Sequence, residues 1–156
     1  MSRLPLALAL CSLLASCMSI TEGGRSVAVN LSVDRAAVSP ATPAAITITM
    51  MNYGAAAIEV ADPDSYACMP PFEVANASGR AIQLPERACS AIPNRYVTLA
   101  SGDTLTIRDS WSGEQASGTA GAVPAPPGAY RLSARLIGRD GVITSPPIDV
   151  VVTAPE

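Results

Sequence analysis

Apolar side chains recur at every second position over most of this chain. Val27, Val29, Leu31 and Val33 alternate with Ala28, Asn30, Ser32 and Asp34. Ile46, Ile48 and Met50 alternate with Thr47, Thr49 and Met51, and Tyr130, Leu132, Ala134 and Leu136 with Arg131, Ser133 and Arg135. Ile148, Val150 and Val152 repeat the pattern near the end. A period of two is that of a strand with one face on a core and the other in water. Shorter extended runs are expected at Ile58–Val60, Phe72–Val74, Arg80–Leu84 and Tyr96–Leu99. Leu105, Ile107, Asp109 and Trp111 share one side of a further strand. Asp109 does not belong on an inward face, so a bulge or an exit from the sheet is expected there.

Turn signals punctuate these runs. Ser39-Pro40-Ala41-Thr42-Pro43, Asn52-Tyr53-Gly54, Asn76-Ala77-Ser78-Gly79, Ser101-Gly102-Asp103 and Gly138-Arg139-Asp140-Gly141 each end or join strands. Pro70-Pro71 and Pro146-Pro147 stand just before strands and suit edge positions, where a missing N–H costs little. No stretch sustains a helical period. The expectation is an all-β domain over 26–156, an antiparallel β-sandwich of about seven to nine strands. Two sheets must face each other, because each has one apolar side.

The first residues break the pattern. Arg3 precedes a largely apolar run from Leu4 to Leu14, too short to span a bilayer and the right length for a signal peptide over 1–16. The run ends Leu14-Ala15-Ser16-Cys17, which resembles the bacterial lipobox: an aliphatic residue, two small residues, then the cysteine that receives diacylglycerol. Cys11 follows the bulky Leu10 and reads as an ordinary residue of the apolar run. A plain secretory signal with Cys17 unmodified is the competing reading. Met18 gives no inner-membrane retention signal, so the expected place is the cell envelope, lipid-anchored. In a two-membrane cell this means the outer membrane, facing the periplasm. Residues 17–25 read as a lipidated tether.

Composition narrows the chemistry. The 156 residues carry a net charge of −3, and the basic residues are ten arginines, so no basic surface for nucleic acid is expected. Removing 16 residues leaves 140, one domain's worth. Aromatics make up 4%, so the core must be aliphatic. The chain has no histidine. This excludes Ser-His-Asp and Cys-His catalysis and every imidazole-bound zinc. Cys68 and Cys89 remain after processing, an even count that reads as one structural disulfide in an exported chain. Met50, Met51 and Met69 read as core residues rather than soft-metal ligands. Glu59, Asp62 and Asp64 read as a solvated turn, because their spacing fits no calcium loop. No cofactor and no metal are expected.

Gly113 to Gly128 is rich in Gly, Ala and Pro and poor in large side chains, so a long loop with little to pack is expected. Long loops in compact domains are functional or disordered. The candidate partner-binding residues are therefore Trp111, Ser112, Gly113, Glu114, Pro124, Pro126 and Pro127. Trp111 itself reads more readily as a buried plug than as an exposed anchor. Tyr130, just after Gly128, reads as a tyrosine corner, whose hydroxyl bonds nearby backbone. Glu114 lies near Ser112 and Ser117, but no general base accompanies them.

From Ile46 to Val152 the chain resembles an Ig-like sandwich, and more narrowly the BsuPI-type intracellular proteinase inhibitor family. The resemblance rests on Asn52-Tyr53-Gly54 closing a threonine-rich strand and on Phe72-Glu73-Val74 leading to the Gly79 turn. It also rests on Leu99-Ala100-Ser101-Gly102-Asp103-Thr104, on Trp111 ending the next strand, and on Pro127-Gly128-Ala129-Tyr130 entering a late one. The Cys pair and the Gly-Ala-Pro loop depart from the family pattern. The resemblance implies the fold more strongly than the inhibitory activity. The expected function is a non-enzymatic, surface-anchored binding or accessory module whose protein partner is a protease or an envelope complex. The alternative is a structural envelope lipoprotein that braces a larger assembly. An enzyme using carboxylates alone ranks last.

Overall fold

The computed structural model describes residues 20–22, 25–63, 69–86, 95–118 and 121–154. Cys17, Cys68 and Cys89, and with them the expected lipid site and disulfide, lie outside the described residues, as does Asp64.

Thirteen strand segments follow in order: β1 (Ile20–Glu22), β2 (Arg25–Val33), β3 (Ala37–Val38), β4 (Ala44–Asn52), β5 (Ile58–Ala61), β6 (Phe72–Asn76), β7 (Tyr96–Leu99), β8 (Thr104–Trp111), β9 (Glu114–Ala116), β10 (Ala122–Pro124), β11 (Gly128–Gly138), β12 (Gly141–Thr144) and β13 (Ile148–Val152). Nine of them are four residues or longer, and β1, β3, β9 and β10 are the short additions. No α-helix occurs among the described residues. The protein is an all-β, Ig-like antiparallel sandwich.

One sheet has the order β1-β2-β4-β8. The other runs β3-β13-β11-β5-β7, with β6 and β12 also paired to β11. The ladders are antiparallel except β3 on β13, which is parallel. The inward residues are those of the alternating pattern. Ile46, Ile48 and Met50 from β4 are fully buried, as are Leu132 and Ala134 from β11, Val74 from β6 and Val150 from β13. Each large aliphatic side chain removed from water in this way contributes about 1.5–3 kcal/mol.

The eleven-residue β11 is the spine of the second sheet, and both of its flanks are broken strands. On one side Ser145-Pro146-Pro147 separates β12 from β13. The prolines offer no N–H, and the buried Ser145 mends the ladder: its Oγ accepts the Ala134 N–H at 2.8 Å and donates to the Pro146 carbonyl at 2.9 Å. On the other side residues 62–71 separate β5 from β6, and the Arg135 N–H donates to the Pro71 carbonyl at 2.8 Å. Both breaks fall at the Ala134–Arg135 step.

Three expectations need correction. Arg80–Leu84 is not a strand: Ala81 makes a single bridge to Ala75, and the chain then leaves toward Pro85. Asp109 causes neither a bulge nor an exit, for β8 stays in register with β4 from Thr104 opposite Met51 to Trp111 opposite Ala44. The reason is that β8 is the outer strand of its sheet, where the inward face is only partly roofed. Asp109 is half-buried there, and its Oδ1 accepts the Ser110 N–H at 2.7 Å. Met69 is exposed, not core. Within the expected tether, Ile20–Glu22 add a strand to β2, with Ile20 opposite Val27 and Glu22 opposite Arg25.

The two ends of the sandwich are built differently. At one end Asn52, fully buried at 0% exposure, ties two loops together. Its Nδ2 donates to the carbonyls of Ala56, Leu99 and Ala100 at 2.9, 3.0 and 3.2 Å. Its Oδ1 accepts the Gly54 N–H at 2.9 Å. Its carbonyl accepts the Gly102 N–H at 2.7 Å, and Asp103 Oδ2 caps the Ala100 N–H at 2.8 Å. The other end, about 27 Å away along the nine residues of β4, carries Trp111. There Asp34 joins β2 to β4: its Oδ1 accepts the Ala45 N–H at 2.7 Å. Hydrogen bonding from Arg35, then that backbone N–H, holds the Asp34 carboxyl below its ordinary range.

Candidate functional site

The expected loop after Trp111 is largely a hairpin. Glu114, Gln115 and Ala116 of β9 face Pro124, Val123 and Ala122 of β10. Gly113 makes the entry possible. Its φ of +72° lies in the left-handed region that favours glycine. Its carbonyl accepts the Ala125 N–H at 2.8 Å. Gly113 is buried against Val38 and Val152, and Ala125 is buried with them in the core. The hairpin is also tied sideways, where the Ala116 N–H donates to the Gln83 carbonyl at 2.7 Å. A segment expected to have little to pack therefore packs through glycine and alanine, whose small volume lets backbone reach the core.

Trp111 is 4% exposed and is a plug, not a recognition anchor. Its Nε1 donates to the Glu114 carbonyl at 2.9 Å. Its ring meets Tyr130 edge-on, with centroids 5.7 Å apart and planes at 64°. Such a pair adds about 0.5–1.5 kcal/mol beyond the area it buries. The Tyr130 hydroxyl donates to the Pro126 carbonyl at 2.8 Å, the expected tyrosine corner, and burial pushes its pKa up. Ser112 Oγ donates to Glu114 Oε2 at 2.6 Å. Trp111, Ser112, Gly113 and Glu114 are thus brought together, with Pro126 fastened to them through Tyr130. Pro124, Pro126 and Pro127 stay exposed.

The sequence did not reveal the groove beside these residues. β8 ends its sheet, and among the described residues no strand pairs with its outer edge. A groove of about 550 Å³ follows that edge, with Leu105, Ile107 and Asp109 on one wall and Ala61, Val97 and Leu136 on the other. A second, of about 180 Å³, continues it past Trp111, Ser112 and Glu114 toward Phe72 and Leu84. Pro70 lines both. The larger falls in the range of sites that take ligands or peptide side chains. Its charges are mixed: Arg108, Asp109, Asp62 and Arg135 border it. Arg135 is drawn to Glu73 at 2.6 Å, and Asp62 faces Arg95 at 3.8 Å. Arg108 and the inward Asp109 are of the kind that stop an open edge from pairing indiscriminately. One signal was available in sequence: an acid on the inward face marks a strand whose inner side is open.

Glu59, expected in a solvated turn, is ion-paired with Arg139. Among the described residues, no three His, Cys, Asp or Glu side chains gather as a metal site would require.

No family model and no curated protein matches the chain. Solved structures do resemble it in part. A β-glucosidase from Erythrobacter marinus shares 9% identity at a TM-score of 0.48, covering 83% of this chain and 16% of that one. A CARDB domain from Pyrococcus furiosus, solved in complex with di-metal ions, shares 14% at 0.46, covering 87% and 95%. Latent PorU from Porphyromonas gingivalis shares 15% at 0.48, covering 87% of this chain and 10% of the other. The chain thus spans about a sixth of the β-glucosidase that it resembles, and likeness at this level carries nothing about activity.

Proposed function

We propose that this protein is a lipid-anchored extracytoplasmic binding module that takes an extended segment of a protein partner along the outer edge of β8. The observation that carries the reading is that edge: eight residues of strand, Thr104–Trp111, bordered by a groove along their length. Strand addition uses backbone hydrogen bonds for affinity and pockets for alternate side chains for selectivity. The groove supplies apolar pockets beside Leu105 and Ile107, and a polar one at Ser112 and Glu114. The partner is a protease or a component of an envelope complex, and the mode of binding is inhibitor-like rather than catalytic. Cys17 carries the lipid after removal of residues 1–16, and Cys68 and Cys89 form a disulfide. Support for the lipid comes from the lipobox-like Leu14-Ala15-Ser16-Cys17.

A photo-cross-linking residue at Arg108, exposed on β8, tests the binding reading in envelope preparations. The same residue at Ser32, on β2, is the control. A discrete adduct from position 108 and none from 32 is expected, and a peptide from the captured protein should then bind the purified domain. Equal adducts, or none, would refute strand addition at β8. Reduced activity in a panel of serine proteases mixed with the purified domain would identify the partner class as a protease.

A further inference from the structure

We infer that the segment bound along β8 carries an acid opposite Arg108, an apolar residue opposite Ile107, any residue opposite Thr106 and a second apolar residue opposite Leu105. The inference rests on the strand-addition reading above and names the chemistry of its ligand.

The phase of the β4–β8 ladder decides which backbone groups are on offer. The Asn52 N–H, at the end of β4, donates to the Asp103 carbonyl at 3.0 Å. On the other flank of β4 the Asp34 N–H donates to the Ala45 carbonyl at 3.1 Å. Bonding sides alternate along a strand. Leu105, Ile107, Asp109 and Trp111 therefore turn their N–H and C=O groups toward β4, and Thr104, Thr106, Arg108 and Ser110 turn theirs outward. The outward N–H of Ser110 is already taken by Asp109 Oδ1 at 2.7 Å. Thr104, Thr106 and Arg108 are left to pair fully, and Leu105 and Ile107 lie between them.

Those two residues form the apolar wall of the groove. An added strand running antiparallel, the more stable sense per residue, meets each of them in a non-hydrogen-bonded pair, where side chains come closest. Its residues at these two places face into the groove, toward Val97 and Leu136.

Arg108 sets the remaining position. It is exposed on the outer face of the sheet. Arg35, Arg95, Arg131, Arg135 and Arg139 each have a carboxylate partner, whereas among the described residues none pairs with Arg108. Across the sheet stand Thr47 and then Ser32, and Thr106 and Ser110 flank Arg108 on its own strand. Asp109 faces the other way. The incoming residue opposite Arg108 lies beside it on the outer face, and an opposite charge there raises affinity about two- to fivefold over a neutral residue. Backbone bonds and the two apolar contacts supply most of the hold, and Arg108 selects among segments.

A second copy of β8 does not meet this description. Antiparallel pairing that keeps the faces matched sets Thr104, Thr106, Arg108 or Ser110 opposite Arg108, and none of them is acidic. The segment belongs to a different protein.

Panning a displayed library of random ten-residue segments against the full mature protein tests this. The enriched pool should read acid, apolar, any residue, apolar, in that order. Panning against Arg108→Glu should replace the acid by lysine or arginine and leave the apolar pair in place. Thr106→Pro removes an outward N–H and spares the ladder to β4, a substitution that edge strands tolerate, and it should cut capture of the enriched pool at least tenfold. Apolar alternation with no acid preference, an acid that follows the apolar pair, or an acid preference unchanged by Arg108→Glu would overturn the inference and leave strand addition standing. No enrichment, or full capture by a Thr106→Pro protein that melts like the native one, would defeat strand addition and the inference with it.

Discussion

Replacing Asn52 with alanine should cost the domain about 2–4 kcal/mol. The side chain is fully buried and makes four hydrogen bonds, three from its amide nitrogen and one to its carbonyl oxygen. A hydrogen bond in a protein contributes about 1 kcal/mol net, and a buried partner left unmatched costs about 1–3 kcal/mol. The Leu99 carbonyl lies in buried surroundings and has no water to turn to once Nδ2 is gone. The carbonyls of Ala56 and Ala100 are closer to the surface and recover part of their loss from solvent. Urea unfolding followed by the fluorescence of the chain's one tryptophan measures the difference. The midpoint should fall while the slope stays unchanged, since the same surface is exposed on unfolding. The melting temperature should fall by roughly 5–15 °C for a domain of this size. Asn52→Asp is the sharper control. It keeps the shape and the acceptor but sets a carboxylate against three carbonyl oxygens. It should be at least as damaging as alanine at neutral pH and less so in acid, where a protonated carboxyl regains one donor. A loss under about 0.5 kcal/mol for Asn52→Ala, the scatter of ordinary surface changes, would refute the account of the clamp.

The Trp111 end gives further tests. Trp111→Ala should cost about 3–5 kcal/mol, as for other buried large aromatics, and calorimetry would register it as a large drop in melting temperature. Tyr130→Phe should cost about 1 kcal/mol through the lost bond to Pro126, measured by urea unfolding. In the native protein burial raises the Tyr130 pKa, so the folded state holds its proton more tightly than the unfolded one. Stability should be unaffected below the ordinary tyrosine value of about 10 and should decline as pH rises from there through the folded value, a decline that Tyr130→Phe removes. For Asp34 the sign is opposite. Its folded pKa is depressed by Arg35 and the Ala45 N–H, so its contribution is complete above the ordinary aspartate value of about 3.9. It disappears as pH falls through the lower folded value. The stability difference between wild type and Asp34→Asn, followed between pH 7 and pH 2, should shrink over that interval.

The strands were legible wherever one face is buried, because a period of two is forced by the pleat. β2, β4, β8, β11 and β13 all lie on runs whose alternation the sequence displays. The paired prolines were legible as strand breaks, yet not as breaks flanking the same step of β11; that depends on Ser145 and Pro71 meeting Ala134 and Arg135 across the sheet. The tyrosine corner could be seen because Tyr130 follows Gly128 at the mouth of a strand. The hairpin of β9 and β10 could not. Its core contacts are made by Gly113 and Ala125, and small residues carry no hydrophobic period. Asn52 showed itself as a turn residue but not as the best-buried polar side chain, since two of its three carbonyl partners, Leu99 and Ala100, come from a loop distant in sequence. The candidate site was half visible. Trp111, Ser112 and Glu114 line one groove, but the open edge of β8 is a fact of strand order, and alternation along a strand carries no information about which neighbour is missing.

The anchored sandwich is tested most directly by the intact mass of the mature protein extracted from the membrane fraction. The predicted mass is that of residues 17–156 with a diacylglyceryl group on Cys17 and two hydrogens fewer for a bond between Cys68 and Cys89. A mature chain that begins at Met1, or one without acyl chains, would contradict it.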